Sequence, residues 1–370
     1  MASPSVLALD KTPEELRGLP PAKRPVNWEA LALVCDEMEG GSRLARERIK
    51  KKLFKKVKED GIGILLPSMR LSYVSARLYL GDFSDWWGWE FRGFYAEDDS
   101  RTWAADLYWS ETWLPKWGGG YVPRLLVLGE QGLGDQIFYA SVIPEAMVRC
   151  GQVVYECDDR LHTLLERSLP GLKCEPQRQF EERRPGDAYI PGAELLRMFR
   201  RARSHFPAKT FLRPDADRVA ALRRYQGRTG IGWSGRQGRV GPLELSISRP
   251  VSLQWNETHP DIETPEVDLK SDIEGVLALC SVLERVVCVP STIHHVAGGC
   301  GAKTQIIVAP YGSGLRNQIP WDYPPGKLPW YPDAFVYRDL AEWHARGRTG
   351  NPLRGGRRDN PVGYRPGLPA

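Results

Sequence analysis

The sequence predicts an α/β protein built on mostly parallel sheets, and three observations carry that prediction. Arg124 to Cys150 runs from an apolar strand, Leu125 to Leu128, through a glycine-rich turn into residues of helical spacing, Ile137, Ile143 and Met147. Strand and helix patterns then alternate as far as Ala202. The alternation restarts at Gly230 with a second strand that runs into a Gly/Ser turn. Such alternation implies parallel strands with helices on both faces of each sheet.

Composition bounds the class. A chain of 370 residues is long enough for two to three domains. Hydrophobic content of 42% and charged content of 26% are ordinary for a globular protein. No apolar run is long enough to span a bilayer. The opening MASPSVLALDKTPEEL lacks a basic region followed by an apolar core, so no signal peptide and a cytoplasmic location are expected. The seven cysteines form no C-x-x-C pair and read as reduced core residues. A net charge of +5 permits an anionic ligand without demanding a nucleic acid.

Residues 1–26 are Pro-rich and read as a loose lead-in. Residues 27–91 read as helical: Trp28 to Met38, Ser42 to Lys58 and Ser72 to Leu80. The run RIKKKLFKKVK on the second helix suits a nucleic-acid or membrane surface, but a solvated face on a packed helix is the plainer reading. Residues 92–120 form a connector rich in tryptophan, with Trp103, Trp109, Trp113 and Trp117. Its rings suit stacking on sugars or bases, or simply the filling of an irregular packing layer.

The first α/β unit is expected over 121–212: strands at Leu125–Leu128, Gln152–Cys157, Leu172–Cys174 and Asp187–Ile190, with helices at Asp159–Ser168 and Leu195–Ala202. A charged helix, Asp215 to Tyr225, lies in a linker at 213–227. The second unit is expected over 228–338: strands at Gly230, Val251–Gln254, Arg285–Val289 and Thr304–Ala309, and helices at Asp272–Leu283 and from Ser291 onward. Residues 339–370 hold a short helix, Leu340 to Ala345, and an Arg-rich tail of disordered composition.

Three turns carry chemistry. The first, Gly129-Glu130-Gln131-Gly132-Leu133-Gly134-Asp135-Gln136, lies where α/β sheets bind ligands, beyond the carboxyl end of a strand. It is acidic, and its spacing is not the dinucleotide fingerprint. A carboxylate there suits a proton acceptor; the plainer alternative is that Asp135 caps its helix. The second, Val289-Pro-Ser291-Thr292-Ile-His294-His295, opens a helix whose free N–H groups make a natural seat for a diphosphate. Adjacent histidines diverge on a helix, so no metal pair is expected. The third, Ser234-Gly235-Arg236-Gln-Gly-Arg239, puts guanidinium groups on a glycine turn, which suits either a pyrophosphate or a basic surface loop.

These stretches resemble a known family. GEQGLGDQIFYASVIPEAM, Gly129 to Met147, is similar to the start of the glycosyltransferase-type domain that follows tetratricopeptide repeats in many bacterial proteins. That domain is related to the ADP-heptose:lipopolysaccharide heptosyltransferases of glycosyltransferase family 9. The likeness continues through Ser168–Gly171, Gly230–Gly235, Asp272–Gly301 and Pro329–Pro332, and upstream through YLGDFSDWWGWEF, which resembles a degenerate last repeat. It implies a GT-B fold, two Rossmann-like domains facing a cleft, preceded by a small TPR-like helical region. It also implies Asp135 as the base toward an acceptor hydroxyl and a catalytic role for His295. Ser234, Gly235, Arg236, Arg239, Ser291 and Thr292 would sit on the donor side. Glu130, Gln131, Gly132, Gly134 and Gln136 would form the acceptor-side loop. Two departures bear on donor contacts: Pro290 stands where the family has Asp, and His294 where it has Ala.

The expected function is therefore inverting, metal-independent transfer of a hexosyl or heptosyl group from a nucleotide-diphosphate sugar to a hydroxyl. No cofactor or metal is expected. The acceptor is open among a glycan, a protein and a modified DNA base. The competing expectation is a GT-B-shaped scaffold without turnover, motivated by Pro290.

Overall fold

The computed structural model describes residues 114–130, 132–176, 184–235, 238–308, 326–337 and 339–347. The expected helical region 27–91, most of the Trp-rich connector, Gln131, Arg236 and the tail from 348 lie outside the described residues.

The first sheet has four parallel strands in the order β3-β2-β1-β4: β1 (Val122–Leu128), β2 (Cys150–Cys157), β3 (Lys173–Pro176) and β4 (Asp187–Pro191). Period-2 alternation assigns each face of β1. Leu125 and Val127 join the main core, while Leu126 and Leu128 pack with Val154 and Tyr189 under Leu114. The register pairs Arg124 with Asp187, and their buried side chains form a charge-assisted pair across the two strands. The connector joins this layer, because Trp117 N–H donates to the Tyr189 carbonyl at 2.8 Å.

The helix after the first turn is not continuous. α1 (Leu133–Ala140) stops and α2 (Ile143–Met147) restarts after a turn at Ser141 and Val142. Pro144 is the reason: it has no N–H to give, and its ring would strike the carbonyl four residues back. α3 (His162–Ser168) packs on β3, and α4 (Gly192–Phe199) follows β4 directly, three residues earlier than the apolar spacing predicts. The expected linker helix is reduced to α5 (Ala216–Ala221), capped by Asp215, which accepts from the N–H groups of Asp217 and Arg218.

The second sheet has six strands in the order β11-β12-β10-β9-β5-β8. Its parallel members are β5 (Thr229–Gly232), β8 (Val251–Ser252), β9 (Arg285–Cys288), β10 (Thr304–Ile307) and β12 (Ala334–Tyr337). β11 (Gly326–Lys327) pairs antiparallel at one edge. The sequence reading did not identify β11 or β12, which are two and four residues long. Between β5 and β8 a hairpin of β6 (Ser234–Gly235) and β7 (Gly238–Arg239) carries the basic turn. α6 (Ile273–Val282) and α7 (Thr292–Gly299) flank β9. The last helix is one turn, α8 (Leu340–Glu342), continued by a wider turn over Trp343–Gly347. It is pinned by buried Trp343, whose Nε1 donates to Gln305 at 3.0 Å.

One apolar core runs through both halves, from Leu125 and Phe138 to Val286, Val296 and Trp330. The segment 206–214 crosses between them. Phe211 and Leu212 N–H both donate to the Gly299 carbonyl, and Arg213 N–H donates to Ser168 Oγ. Arg167 adds an ion pair to Glu274, with Nη1 2.8 Å from Oε1.

Candidate functional site

The fold brings the first two turns against each other. α1 of the first half packs on α7 of the second, with Gly134 at the closest approach. A Cβ at Gly134 would lie 2.8 Å from His295 Cδ2 and 3.2 Å from Thr292 Cα. Only glycine permits backbones this near. Both helices point their N-termini at this seam, at the carboxyl ends of β1 and β9. Two helix N-termini, with their positive dipole ends, therefore converge.

The basic hairpin lies beside them. A Cβ at Gly235 would meet the Pro290 carbonyl at 2.8 Å and Ser291 Cβ at 3.5 Å. Ser234 N–H donates to Gln254 Oε1 at 2.9 Å. Gly132, Gly134, Asp135, Ser234, Gly235, Ser291, Thr292 and His295 are thus neighbours along one edge. The sequence reading missed Gln254. The signal available was only its position at the end of a short expected strand.

Other expected residues face elsewhere. Glu130 is buried, and its Oε1 accepts from Ala193 N–H at 2.9 Å, capping α4. Gln136 is buried; its Oε1 accepts from Asp158 N–H and its carbonyl from the Tyr155 hydroxyl, both at 2.8 Å. These two hold the first half together. Arg239 is exposed and forks onto Glu257 at 2.8 and 3.0 Å, the surface-loop arrangement.

Asp135 is half-buried in the first turn of α1, and its Oδ2 accepts from Gly132 N–H at 2.9 Å. The carboxylate thus orients the turn as well as lining it. Its negative charge reaches Tyr331, whose phenol is held well above its usual range first by burial and then by Asp135.

The two histidines occupy distinct roles. His294 Nδ1 accepts from Ser291 N–H at 3.0 Å and so caps α7. Its proton therefore sits on Nε2. Burial lowers it to about 4. His295 is buried between Phe138 and Tyr331, with Nδ1 2.7 Å from the Tyr331 hydroxyl. Burial, and next the ring of His294 at 3.8 Å, hold it well below 6.5. Both imidazoles are neutral at pH 7, so His295 acts as a hydrogen-bonding group there and not as a standing cation. Tyr331 lies in the Pro329–Pro332 stretch, but nothing in spacing alone aims it at His295.

Among the described residues, no group of three or more His, Cys, Asp or Glu side chains is placed to hold a metal ion, and no helix is long and apolar enough to cross a membrane.

No protein-family model matches the chain. Among curated proteins it is similar to Protein FlbA of Caulobacter vibrioides, 25% identical over 282 residues, covering 62% of this chain and 46% of that protein. The chain therefore spans less than half the length of this relative. Among solved structures it is similar to a glycosyl transferase family 9 protein of Veillonella parvula, with a TM-score of 0.42, 10% identity and coverage of 61% of this chain and 89% of that one. It is also similar to the iron-containing dodecameric glycosyltransferase TibC of enterotoxigenic E. coli, with a TM-score of 0.38, 14% identity and coverage of 52% and 59%. A third is the E. coli heptosyltransferase WaaC with ADP-2-deoxy-2-fluoro heptose, with a TM-score of 0.33, 10% identity and coverage of 60% and 96%.

Proposed function

We propose that this chain is a GT-B-type glycosyltransferase that moves a sugar from a nucleotide-diphosphate sugar to an acceptor hydroxyl. One observation carries the reading: the acidic turn at Asp135 and the helix N-terminus at Ser291 and Thr292 meet across Gly134. A sugar held there has a carboxylate on one side for the attacking hydroxyl. On the other side it has oriented N–H groups for the departing diphosphate. Ser234 and Gly235 extend the diphosphate seat. The dipole and N–H groups of α7 supply stabilisation without a cation, so transfer independent of a metal is the expectation, and the family resemblance adds inversion at the sugar carbon. Neutral His295 and Tyr331 position the seam.

The test is donor turnover by the full chain. A panel of nucleotide sugars is incubated with and without EDTA, and release of nucleotide diphosphate is followed. Release that survives EDTA and falls in Asp135→Asn supports the reading. Binding without release from any donor favours a scaffold. The tie of Arg239 to Glu257 and the presence of Pro290 beside Gly235 are the observations that favour this second reading.

A further inference from the structure

Four large apolar side chains stand exposed among the described residues: Tyr121, Val148, Leu243 and Trp255. Tyr121 and Val148 lie at the amino ends of β1 and β2, far along the strands from the turns described above. Leu243 sits on a short helical turn after the hairpin. Trp255 is different in place and in setting.

Trp255 follows β8 at the carboxyl edge of the second sheet, and 58% of it is exposed. Burying an indole is worth more than burying most side chains, at about 25 cal/mol per Å². Leaving it out is therefore a feature to explain. Its loop is rigidly held. Gln254, the residue before it, is buried, accepts from Ser234 N–H, and donates to Asn256 on the other side of the tryptophan. The ammonium of Lys270 lies 5.2 Å from the indole centroid. Lys270 in turn lies where the two halves meet, since its carbonyl accepts from Arg160 Nη1 of the first half at 2.9 Å.

The strand order sets the distance. β8, β5 and β9 are consecutive neighbours, and their carboxyl ends lead to Trp255, to Ser234–Gly235 and to Ser291–Thr292. Neighbouring strands are spaced ~4.8 Å apart, so the carboxyl ends of β8 and β9, from which the Trp255 loop and α7 start, lie two spacings, about 10 Å, apart. A nucleoside diphosphate spans a comparable length from its phosphates through the ribose to the base.

From this placement we propose that Trp255 is the platform on which the base of a nucleoside diphosphate stacks, with its phosphates on the α7 N-terminus and Ser234–Gly235. The inference rests on the donor-binding reading given above and names the residue that would recognise the donor's base. Lys270 supports the indole from one side and adds positive charge beside an anionic ligand. Stacking on an aromatic face is tolerant of base identity, because every base presents a π-face.

The test is calorimetric titration of the full chain with ADP, GDP, UDP and inorganic pyrophosphate, in wild type, Trp255→Ala and Trp255→Phe. The expected result is a loss of about tenfold in nucleoside diphosphate affinity for Trp255→Ala, with most of it kept in Trp255→Phe and pyrophosphate binding unchanged in both. Nucleoside diphosphate affinity equal in wild type and Trp255→Ala would overturn the inference and leave the donor-binding reading standing. An equal loss for pyrophosphate would also overturn it, since stacking cannot act on a ligand without a base. Binding of none of the four probes to wild type would overturn the donor-binding reading and this inference with it.

Discussion

For Asp135, substitution can separate the cap that the structure shows from the proton-accepting role proposed above. Its Oδ2 caps α1 through Gly132 N–H, and its charge faces the seam. Asparagine keeps an oxygen for the cap but cannot take a proton. Asp135→Asn should therefore melt within about 1 °C of wild type while losing roughly 10²- to 10⁴-fold in turnover. Asp135→Ala should lose the cap too, at a cost of about 1 kcal/mol read by urea titration. The histidine pair makes a pH prediction. His294 is lowered to about 4 and His295 is held well below 6.5 in the folded chain. In the unfolded chain both protonate near 6.5. The unfolded state then binds more protons below that pH, so stability should fall as pH drops from about 6.5 toward 4 and be insensitive to these groups above about 7. Melting curves across this window should be shallower in His294→Gln and in His295→Gln than in wild type. Equal slopes would count against buried neutral imidazoles. At this scale the sequence was informative about the Asp135 cap, which the structure shows, and silent about Tyr331, whose partner lies 36 residues away.

At the scale of elements, the contact of α1 with α7 carries the site. An alanine normally favours a helix over glycine by up to about 1 kcal/mol. At position 134 the added carbon would lie 2.8 Å from the buried His295 imidazole and 3.2 Å from Thr292 Cα. Overpacking of this kind costs about 1–3 kcal/mol, so Gly134→Ala should lower stability despite its better propensity. A Tm drop of at least about 2 °C is expected, together with weakened nucleotide binding. A raised Tm would show that the helices do not meet there. The glycine-rich turn was legible in the sequence, but not as a place of close approach. What approached was not legible, because α7 begins 158 residues later in the chain, counting from Gly134 to Thr292. The break between α1 and α2 was in principle readable from Pro144, and the helical spacing of Ile143 and Met147 masked it.

The two described halves are tied by the shared core, by residues 206–214 and by the Arg167–Glu274 pair. Two halves that share a core should not melt separately. Urea unfolding followed by far-UV circular dichroism and by tryptophan fluorescence is expected to show coincident transitions for this body. A half that unfolds alone at lower urea would contradict the continuity of the core. The ion pair itself adds little, being partly exposed, and fixes orientation more than stability.

The amino-acid sequence by itself determined the α/β class, the strand–turn–helix units at Leu125 and Arg285, and the three turns singled out as candidate sites. Those features are local: apolar runs, glycine punctuation and helix caps act over a few residues. Only the tertiary structure decided which turns meet. It turned Glu130 and Gln136 inward onto backbone partners, tied Arg239 to Glu257, buried His295 against Tyr331 and left Trp255 exposed. The reason is physical: burial and long-range partners set the charge and orientation of a side chain, and neither is encoded within the span of residues around it.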